Sequence, residues 1–295
     1  MIEAAERTWT SADGLTLFAR DFAPASGPAR APVICLHGLT RNSRDFEVLA
    51  PHIAAQGRRV LALDVRGRGR SAWDPNPLNY NPAVYAGDVA ALLEQSGIAR
   101  AHFIGTSMGG LITLTLSALR PDLIAGVVLN DVGPEVGAAG LARISGYVGG
   151  TPQVATWAEA AAYAKTVNGQ ALPHLTDSDW DRFARRVFRE TQAGLALDYD
   201  PAISQVFKVA PTAAPAAPAA AAPDLWPFFS AMAAGRPLLL VRGALSDILD
   251  AAIADRMGLT APHMARVDIP GVGHAPTLEE PQALAAIDAF LASAP

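Results

Sequence analysis

Residues 104–110, which read Ile-Gly-Thr-Ser-Met-Gly-Gly, constrain the fold of this chain more than any other segment. A short apolar run precedes them and apolar residues at helical spacing follow, so the segment is predicted to connect a strand to a helix. Gly105 and Gly109 flank Ser107 at positions where a larger side chain would collide with the neighbouring strand or helix. The pattern predicts a sharp, cramped turn with Ser107 at its apex, and it makes Ser107 a candidate nucleophile.

Short apolar runs alternate with helical patterns along most of the chain. The runs predicted as strands are residues 33–37, 60–64, 102–105, 126–131, 237–242 and 266–269. The clearest helical patterns are residues 85–95, 108–119 and 282–291. Apolar runs of this kind are typical of parallel strands that helices cover on both faces. They predict an α/β fold with a doubly wound, mostly parallel sheet.

The start of the chain carries a hairpin signal, Asp13-Gly14, between residues 8–10 and 15–22. Asp-Gly pairs favour tight turns, so the first two strands are predicted to be antiparallel. Together with the later runs they give a predicted eight-stranded sheet.

The strand–helix alternation stops between residues 134 and 234. This interval is mostly helical in pattern. It is predicted to form a helical cap inserted over the carboxyl edge of the sheet, where open α/β sheets bind ligands. Residues 1–133 and 235–295 would then form the core domain. Residues 211–223 are almost entirely Ala and Pro and are predicted to be a low-complexity connector.

Aromatic side chains are frequent in this interval. They suit an apolar substrate pocket, although aromatic residues at helical spacing are more typical of a core. These residues are Trp157, Trp180, Phe183, Phe188, Trp226, Phe228 and Phe229.

The interval also has an apolar stripe at helical spacing in residues 180–188. Four arginines lie mainly off this stripe: Arg182, Arg185, Arg186 and Arg189. A solvated helix face is the usual explanation for such arginines, and binding of an anionic substrate is the alternative.

Composition limits the partners of the chain. Its 295 residues carry a net charge of −5, which argues against nucleic acid or an anionic membrane as a partner. Cys35, the only cysteine, lies in an apolar run and is predicted to be a buried core residue. No stretch approaches the ~18 apolar residues of a membrane span, and no apolar segment of a signal peptide follows the N-terminus. We therefore expect a soluble, cytoplasmic protein, and the sequence leaves its oligomeric state open.

A serine needs a base within hydrogen-bond reach to become nucleophilic. Of the six histidines, His274 is the candidate, because it lies in a loop after the last predicted strand and before the last helix. The histidines expected to have packing or surface roles are His52, His102, His174 and His263.

The loop of residues 37–40, His-Gly-Leu-Thr, follows the third predicted strand. We expect the backbone N–H groups of Leu39 and Met108 to bind the oxyanion that forms when the serine attacks a carbonyl. His37 and Gly38 are expected to border the substrate as part of this loop, with His37 ordering the loop rather than transferring protons.

Several motifs, in the family's order, resemble the α/β-hydrolase superfamily. They are His37-Gly38, residues 64–71 (Asp-Val-Arg-Gly-Arg-Gly-Arg-Ser), the Gly-x-Ser-x-Gly turn around Ser107, and Gly273-His274. The resemblance covers nearly the whole chain except the predicted cap. It implies the α/β-hydrolase fold and a serine hydrolase in which Ser107, His274 and an acid form a catalytic triad.

The acid has two candidates. In this family it usually follows the seventh strand as Gly-x-x-Asp, but here Ser246 takes that position after Gly243 and Asp247 comes one residue late. Some members of the family have a second arrangement, in which the acid follows the sixth strand and a serine occupies the strand-seven position. Asp131 fits that arrangement, so the resemblance favours Asp131 and keeps Asp247 as the alternative.

The resemblance implies hydrolysis of a carboxylic ester, a lactone or a thioester of a small to medium apolar substrate through an acyl-enzyme. One alternative is C–C bond hydrolysis of diketone-like ring-cleavage products, which needs the same groups. A third is a non-catalytic receptor for a small ligand on the same fold. No cofactor or metal is expected, since the chain has no His-Glu-x-x-His or paired-cysteine spacing.

Overall fold

A computed structural model describes residues 2–25, 30–205 and 224–294, and the connector predicted at residues 211–223 lies outside them. The strands are β1 (Ala5–Thr10), β2 (Thr16–Phe22), β3 (Val33–Leu36), β4 (Val60–Asp64), β5 (Ala101–Thr106), β6 (Ile124–Asn130), β7 (Phe188–Thr191), β8 (Gly194–Leu197), β9 (Leu238–Gly243) and β10 (Ala265–Ile269). The helices used below are α1 (Leu49–Ala55), α2 (Pro82–Gln95), α3 (Met108–Leu119), α4 (Ala138–Ser145), α5 (Trp157–Asn168), α6 (Asp177–Val187), α7 (Trp226–Ala233), α8 (Ala251–Thr260) and α9 (Pro281–Ser293).

The main sheet has eight strands in the order β1-β2-β4-β3-β5-β6-β9-β10. Strand β2 pairs antiparallel with both β1 and β4, and the other neighbours pair parallel. This confirms the prediction of a mostly parallel eight-stranded sheet with an antiparallel start.

Helices cover both faces of the sheet, and this explains why the central strands are apolar along their whole length. Every residue of β3, β4, β6 and β9 is buried. In β3, Ile34 and Leu36 pack in a cluster with α2 and α3, whereas Val33 and Cys35 pack with α1 and α9. Cys35 is therefore a core residue, as predicted, and burial raises the pKa of its thiol. None of the described helices is long and apolar enough to cross a bilayer.

The parallel strands bring distant parts of the sequence to one edge of the sheet. Ser107 follows β5, Asp131 follows β6, and His274 lies in the loop after β10. Since parallel strands point their carboxyl ends in one direction, these residues meet at the same edge.

Residues 134–234 differ from the prediction in one respect. They contain α4 to α7, consistent with their helical pattern, but also a two-stranded antiparallel sheet of β7 and β8 that the sequence analysis did not predict. Helix α6 ends at Val187, and Phe188 is extended at φ −107° and ψ 157° and begins β7. Phe188 still fits the apolar spacing of α6 because Val187, the last residue of the helix, and Phe188, the first residue of β7, are both buried. We call α4, α5, α6 and α7 the roof helices.

Candidate active site

Ser107 occupies the sharp turn between β5 and α3. Its backbone has φ 51° and ψ −112°, a conformation that residues other than glycine rarely adopt. A Cβ on Gly105 would lie 2.6 Å from the backbone of Gly109, and a Cβ on Gly109 would lie 2.1 Å from the carbonyl oxygen of Leu36. Close approach of the backbone therefore requires both glycines.

One imidazole joins this serine to an acid. His274 Nε2 lies 2.8 Å from Ser107 Oγ, and His274 Nδ1 lies 2.7 Å from Asp131 Oδ2. A carboxylate oxygen can only accept a hydrogen bond, so Nδ1 carries the proton and Nε2 accepts from the Ser107 hydroxyl. In this tautomer the imidazole is able to take the serine proton.

Asp131 is held by hydrogen bonds from the neighbouring strand end. It is fully buried, and its Oδ1 accepts from the Gly243 backbone N–H at 2.8 Å. Its Oδ2 accepts from the Ser246 hydroxyl at 2.6 Å, and Ser246 Oγ accepts in turn from the N–H groups of Ile248 and Leu249 at 3.2 and 3.0 Å. These contacts fix the carboxylate in the orientation that His274 meets.

Asp247, the alternative acid, is engaged elsewhere. Its carboxylate oxygens accept hydrogen bonds from Nε and Nη2 of Arg143 in α4, at 2.7 and 2.8 Å. These bonds lower the pKa of Asp247. The geometry therefore favours Asp131 over Asp247 as the partner of His274.

The loop after β3 is held from two sides. His37 Nδ1 donates to the Gly38 carbonyl at 2.7 Å, and His37 Nε2 accepts from the Val65 N–H at 3.0 Å. Burial lowers the pKa of His37 to about 4, which keeps the imidazole neutral, as both contacts require. Arg68 Nε donates to the Leu39 carbonyl at 3.0 Å. The geometry thus agrees with a loop-ordering role for His37.

The two predicted oxyanion donors are Leu39, in the loop after β3, and Met108, which directly follows Ser107. Met108 is the first residue of α3, so its N–H lies at the positive end of the helix dipole. Leu39 and Met108 border one cavity together with Ser107. Arg68, which holds the Leu39 carbonyl, was not among the predicted site residues, although its place in the family-like motif of residues 64–71 was a signal.

Two cavities meet at Ser107 and differ in size and polarity. The smaller has a volume of about 90 Å³ and is bordered by His274 and by charged or polar side chains such as Arg41. The larger has a volume of about 730 Å³. Apolar side chains that border it include Met108, Leu111, Val132, Leu141, Leu225 and Trp226. Leu39 and Ile144 border both cavities, so the loop after β3 and helix α4 contribute to each of them.

The aromatic side chains of residues 134–234 divide between the core and the cavities. Those that are buried and border neither cavity are Trp180, Phe188 and Phe229. Phe183 borders the small cavity and Trp226 borders the large one. Trp157 lies beneath the Arg185 guanidinium, and the side chain of Phe228 is 41% exposed.

Arg186 departs from the predicted solvated face. Its side chain is buried, and it pairs with Glu47 at 2.7 Å and with Glu279 at 2.6 Å. Both carboxylates are remote in sequence, so helical spacing gave no sign of them. The other arginines named with it are exposed, as predicted: Arg182, Arg185 and Arg189.

Arg41 is a charged residue that borders the small cavity together with Ser107 and was not among the predicted site residues. Its guanidinium carbon lies 3.9 Å from the centre of the Phe183 ring, and its Nη2 lies 2.6 Å from Asp45 Oδ1. The available signal was its position directly after the loop of residues 37–40, which was predicted to border the substrate.

The remaining histidines have packing or surface positions. They are His52, His174 and His263, which are exposed or half-buried, and His102, which is buried edge-on against Phe290. Across residues 2–25, 30–205 and 224–294, no group of three or more His, Cys, Asp or Glu side chains could hold a metal ion.

The sequence profile described as the alpha/beta hydrolase fold matches residues 31–281. This chain belongs to the α/β-hydrolase family. The match confirms the resemblance seen in the motifs, and it spans the loop after β3, the turn at Ser107 and the loop that carries His274.

Named relatives match this α/β hydrolase over most of its length. The 3-hydroxybutyrate-oligomer hydrolase of Cupriavidus necator is 34% identical over 266 residues, which cover 89% of this chain and 88% of the relative. The crystal structure of an α/β hydrolase from Novosphingobium aromaticivorans has a TM-score of 0.89 and 45% identity, and the match covers 99% of both chains. A putative hydrolase from Rickettsia typhi shares the fold, with a TM-score of 0.82 and 23% identity over the whole of both chains.

Proposed function

We propose that this α/β hydrolase is a serine carboxylesterase that works through an acyl-enzyme. The observation that carries the proposal is the His274 imidazole, which lies 2.8 Å from Ser107 Oγ and 2.7 Å from Asp131 Oδ2. A relative named as a hydrolase of 3-hydroxybutyrate oligomers supports the ester as the bond that is cleaved.

In the first half-reaction, Ser107 Oγ attacks the ester carbonyl while His274 Nε2 takes the hydroxyl proton. The carbonyl oxygen becomes an oxyanion that accepts hydrogen bonds from the N–H groups of Leu39 and Met108. Asp131 stabilises the imidazolium that forms. His274 then gives the proton to the leaving alcohol oxygen, and the acyl group stays on Ser107.

In the second half-reaction, water replaces the alcohol. His274 takes a proton from the water, whose oxygen attacks the acyl carbonyl. The second oxyanion binds the same two N–H groups. When it collapses, the carboxylic acid leaves and the proton returns to Ser107 through His274.

The substrate is proposed to be a small to medium molecule in the cytoplasm. The large cavity of about 730 Å³ has room for an apolar acyl group, and α4 borders both cavities next to Ser107. The roof helices are therefore proposed to act as a cap that selects substrates, as predicted for residues 134–234. Neither nucleic acid nor a membrane is proposed as a partner.

The first experiment is a series of p-nitrophenyl esters from acetate to palmitate, with Ser107→Ala as the control. We expect hydrolysis that depends on Ser107, with a preference for short to medium acyl chains. A fluorophosphonate should label the wild-type protein and should not label Ser107→Ala.

Two other results would point to other functions. Labelling without cleavage of any ester would direct attention to lactones, thioesters or the C–C bonds of diketones. No labelling and no turnover, together with a ligand-dependent change in the roof helices, would favour a receptor and contradict the proposal.

A further inference from the structure

We infer that the small cavity binds the leaving alcohol of the ester, and that Arg41 recognises a carboxylate carried by that alcohol. The preferred substrates are then esters of short hydroxy acids whose own carboxyl group is free. This inference rests on the proposed ester hydrolysis at Ser107, and it adds the orientation of the substrate and the chemistry of its leaving group.

The orientation follows from the path of the proton. The leaving oxygen must accept its proton from His274 Nε2, so the leaving group lies on the side of Ser107 where His274 is found. His274 borders the small cavity and does not border the large one. The large cavity, which Met108 borders, is left for the acyl group.

Arg41 is close enough to the serine to meet a short leaving group. A Cβ built on Gly38 would lie 3.6 Å from Arg41 Cγ and 3.9 Å from Ser107 Cβ. Both side chains therefore lie beside Gly38, and both border the small cavity. The cavity volume of about 90 Å³ limits a leaving alcohol placed between Ser107 and Arg41 to a few carbons.

Two contacts fix the orientation of the guanidinium. Asp45 accepts hydrogen bonds from Arg41 Nε at 3.0 Å and from Nη2 at 2.6 Å, and the ring of Phe183 covers one face. Within the part of the chain that the structure describes, no oxygen accepts a hydrogen bond from Arg41 Nη1. The edge formed by Nη1 and the second hydrogen of Nη2 can thus donate to a carboxylate in the paired geometry that arginine favours.

The two arginines at the small cavity differ in how far nearby carboxylates offset their charge. Arg186 is bound by Glu47 and Glu279, and both oxygens of Asp45 face Arg41. Arg186 Nη1 likewise has no acceptor among the described residues, but two carboxylates offset the charge of Arg186, whereas Arg41 faces one. Arg41 is therefore the arginine of this cavity that keeps more of its positive charge for a ligand. Because Asp45 offsets part of its charge, we expect selectivity of about tenfold rather than a large electrostatic effect.

The test compares two esters that differ in one group, 3-(butanoyloxy)propanoate and its primary amide, 3-(butanoyloxy)propanamide. They share the acyl group and the length of the leaving alcohol, and only the first carries a charge. For the wild-type protein, kcat/KM should be at least about tenfold higher for the carboxylate ester, chiefly through KM.

Substitutions test whether Arg41 causes the preference for the carboxylate ester. Arg41→Gln should lower kcat/KM for the carboxylate ester by about tenfold and leave the amide ester within about threefold, and Arg41→Lys should restore part of the loss. Arg182→Gln is the matched control, since it removes a positive charge from α6 that is 59% exposed and borders neither cavity. It should preserve the preference. As a second readout, free 3-hydroxypropanoate should inhibit the wild type competitively and inhibit Arg41→Gln less.

The outcomes separate the two proposals. If Ser107→Ala still cleaves both esters, the esterase proposal itself fails. If cleavage needs Ser107 but the wild type handles the amide ester as well as the carboxylate ester, the assignment of Arg41 fails and the esterase proposal stands. Since this comparison uses the wild type, poor folding of an Arg41 variant would not obscure it.

Discussion

The edge of the sheet and the roof helices make different contributions to the site. The edge supplies Ser107, Asp131 and His274, each placed at the end of a strand and linked by hydrogen bonds of 2.7 and 2.8 Å. The roof helices supply side chains such as Ile144 and Phe183, which border the cavities and take no part in these hydrogen bonds. Under the proposed function, the sheet edge carries the reaction chemistry and the roof helices set the size of the substrate.

The two parts are nevertheless joined by polar contacts. The Gly273 N–H, next to His274, donates at 2.6 Å to the Ala171 carbonyl, which lies between the roof helices α5 and α6. Asn42 Nδ2, on the sheet side, donates to the Arg186 carbonyl at 2.7 Å. A substitution at the sheet edge should therefore act on rate, and one in the roof should act on selectivity, provided that these junctions remain intact.

The largest effect should come from the sheet edge. Asp131→Asn is expected to lower kcat by about 1,000-fold or more. The amide NH2 group can donate to His274 Nδ1, and this favours the tautomer whose Nε2 carries the proton and cannot take one from Ser107. Asparagine tolerates the φ of 56° at this position, so the fold should be retained. Steady-state kinetics and a thermal melt together measure the two expectations.

Asp247→Asn is the matched control for that prediction. Asp247 pairs with Arg143, and its loss should leave kcat within about threefold while it weakens a half-exposed contact with α4. The reverse result, with Asp247 essential and Asp131 dispensable, would overturn the assignment of the acid.

The next effect concerns stability. The folded protein protonates His37 only near pH 4, whereas an unfolded histidine does so near its ordinary value of 6.5. The unfolded state therefore binds more protons between these values, and the free energy of unfolding falls as the pH is lowered through this window. The loss from this group should be about 2 kcal/mol at pH 5. Urea unfolding of wild type and His37→Gln at pH 7.5 and 5 measures it, and equal pH dependence in both proteins would refute it.

A smaller effect is expected for Ser246, whose hydroxyl group holds Asp131 in place. Ser246→Ala removes the hydroxyl that donates to Asp131 Oδ2 at 2.6 Å. We expect kcat to fall by about tenfold and the free energy of unfolding to fall by about 1–2 kcal/mol, since two backbone N–H groups lose their acceptor. An unchanged kcat in a destabilised protein would assign Ser246 to the fold alone.

The smallest effect is expected in the roof. Leu141→Trp adds bulk to α4 beside the large cavity, so the ratio of octanoate to acetate ester hydrolysis should fall by about threefold with little change for acetate. Leu259→Trp makes the same change on α8, where the side chain is 82% exposed and borders neither cavity. A similar shift in both variants would argue against the large cavity as the acyl site.

The sheet edge could be predicted from the sequence because its constraints are local. The close approach of Gly105 and Gly109 to the neighbouring backbone is a steric requirement that a short motif records. The apolar runs gave the sheet itself, and parallel strands imply that the residues after them share an edge. These local constraints do not decide between Asp131 and Asp247, because the contact that engages Asp247 comes from Arg143 in the roof helix α4.

Residues 134–234 were less predictable because their structure depends on distant partners. The hairpin of β7 and β8 and the burial of Arg186 arise from contacts with residues far away in the sequence. The same holds for Arg41, whose orientation depends on Phe183 in α6. Periodicity reports which face of a segment is apolar, but not which side chain of another element will meet it.

The backbone of Ser107 also has a consequence for how such a protein changes over generations. A residue other than glycine at φ 51° and ψ −112° carries a strain of about 1–3 kcal/mol, which glycine would relieve. A lineage released from the need to hydrolyse its substrate would gain stability by losing this serine. Retention of serine at this turn among descendants is therefore a record of continuous selection for activity, and its replacement by glycine marks the point at which that selection ended.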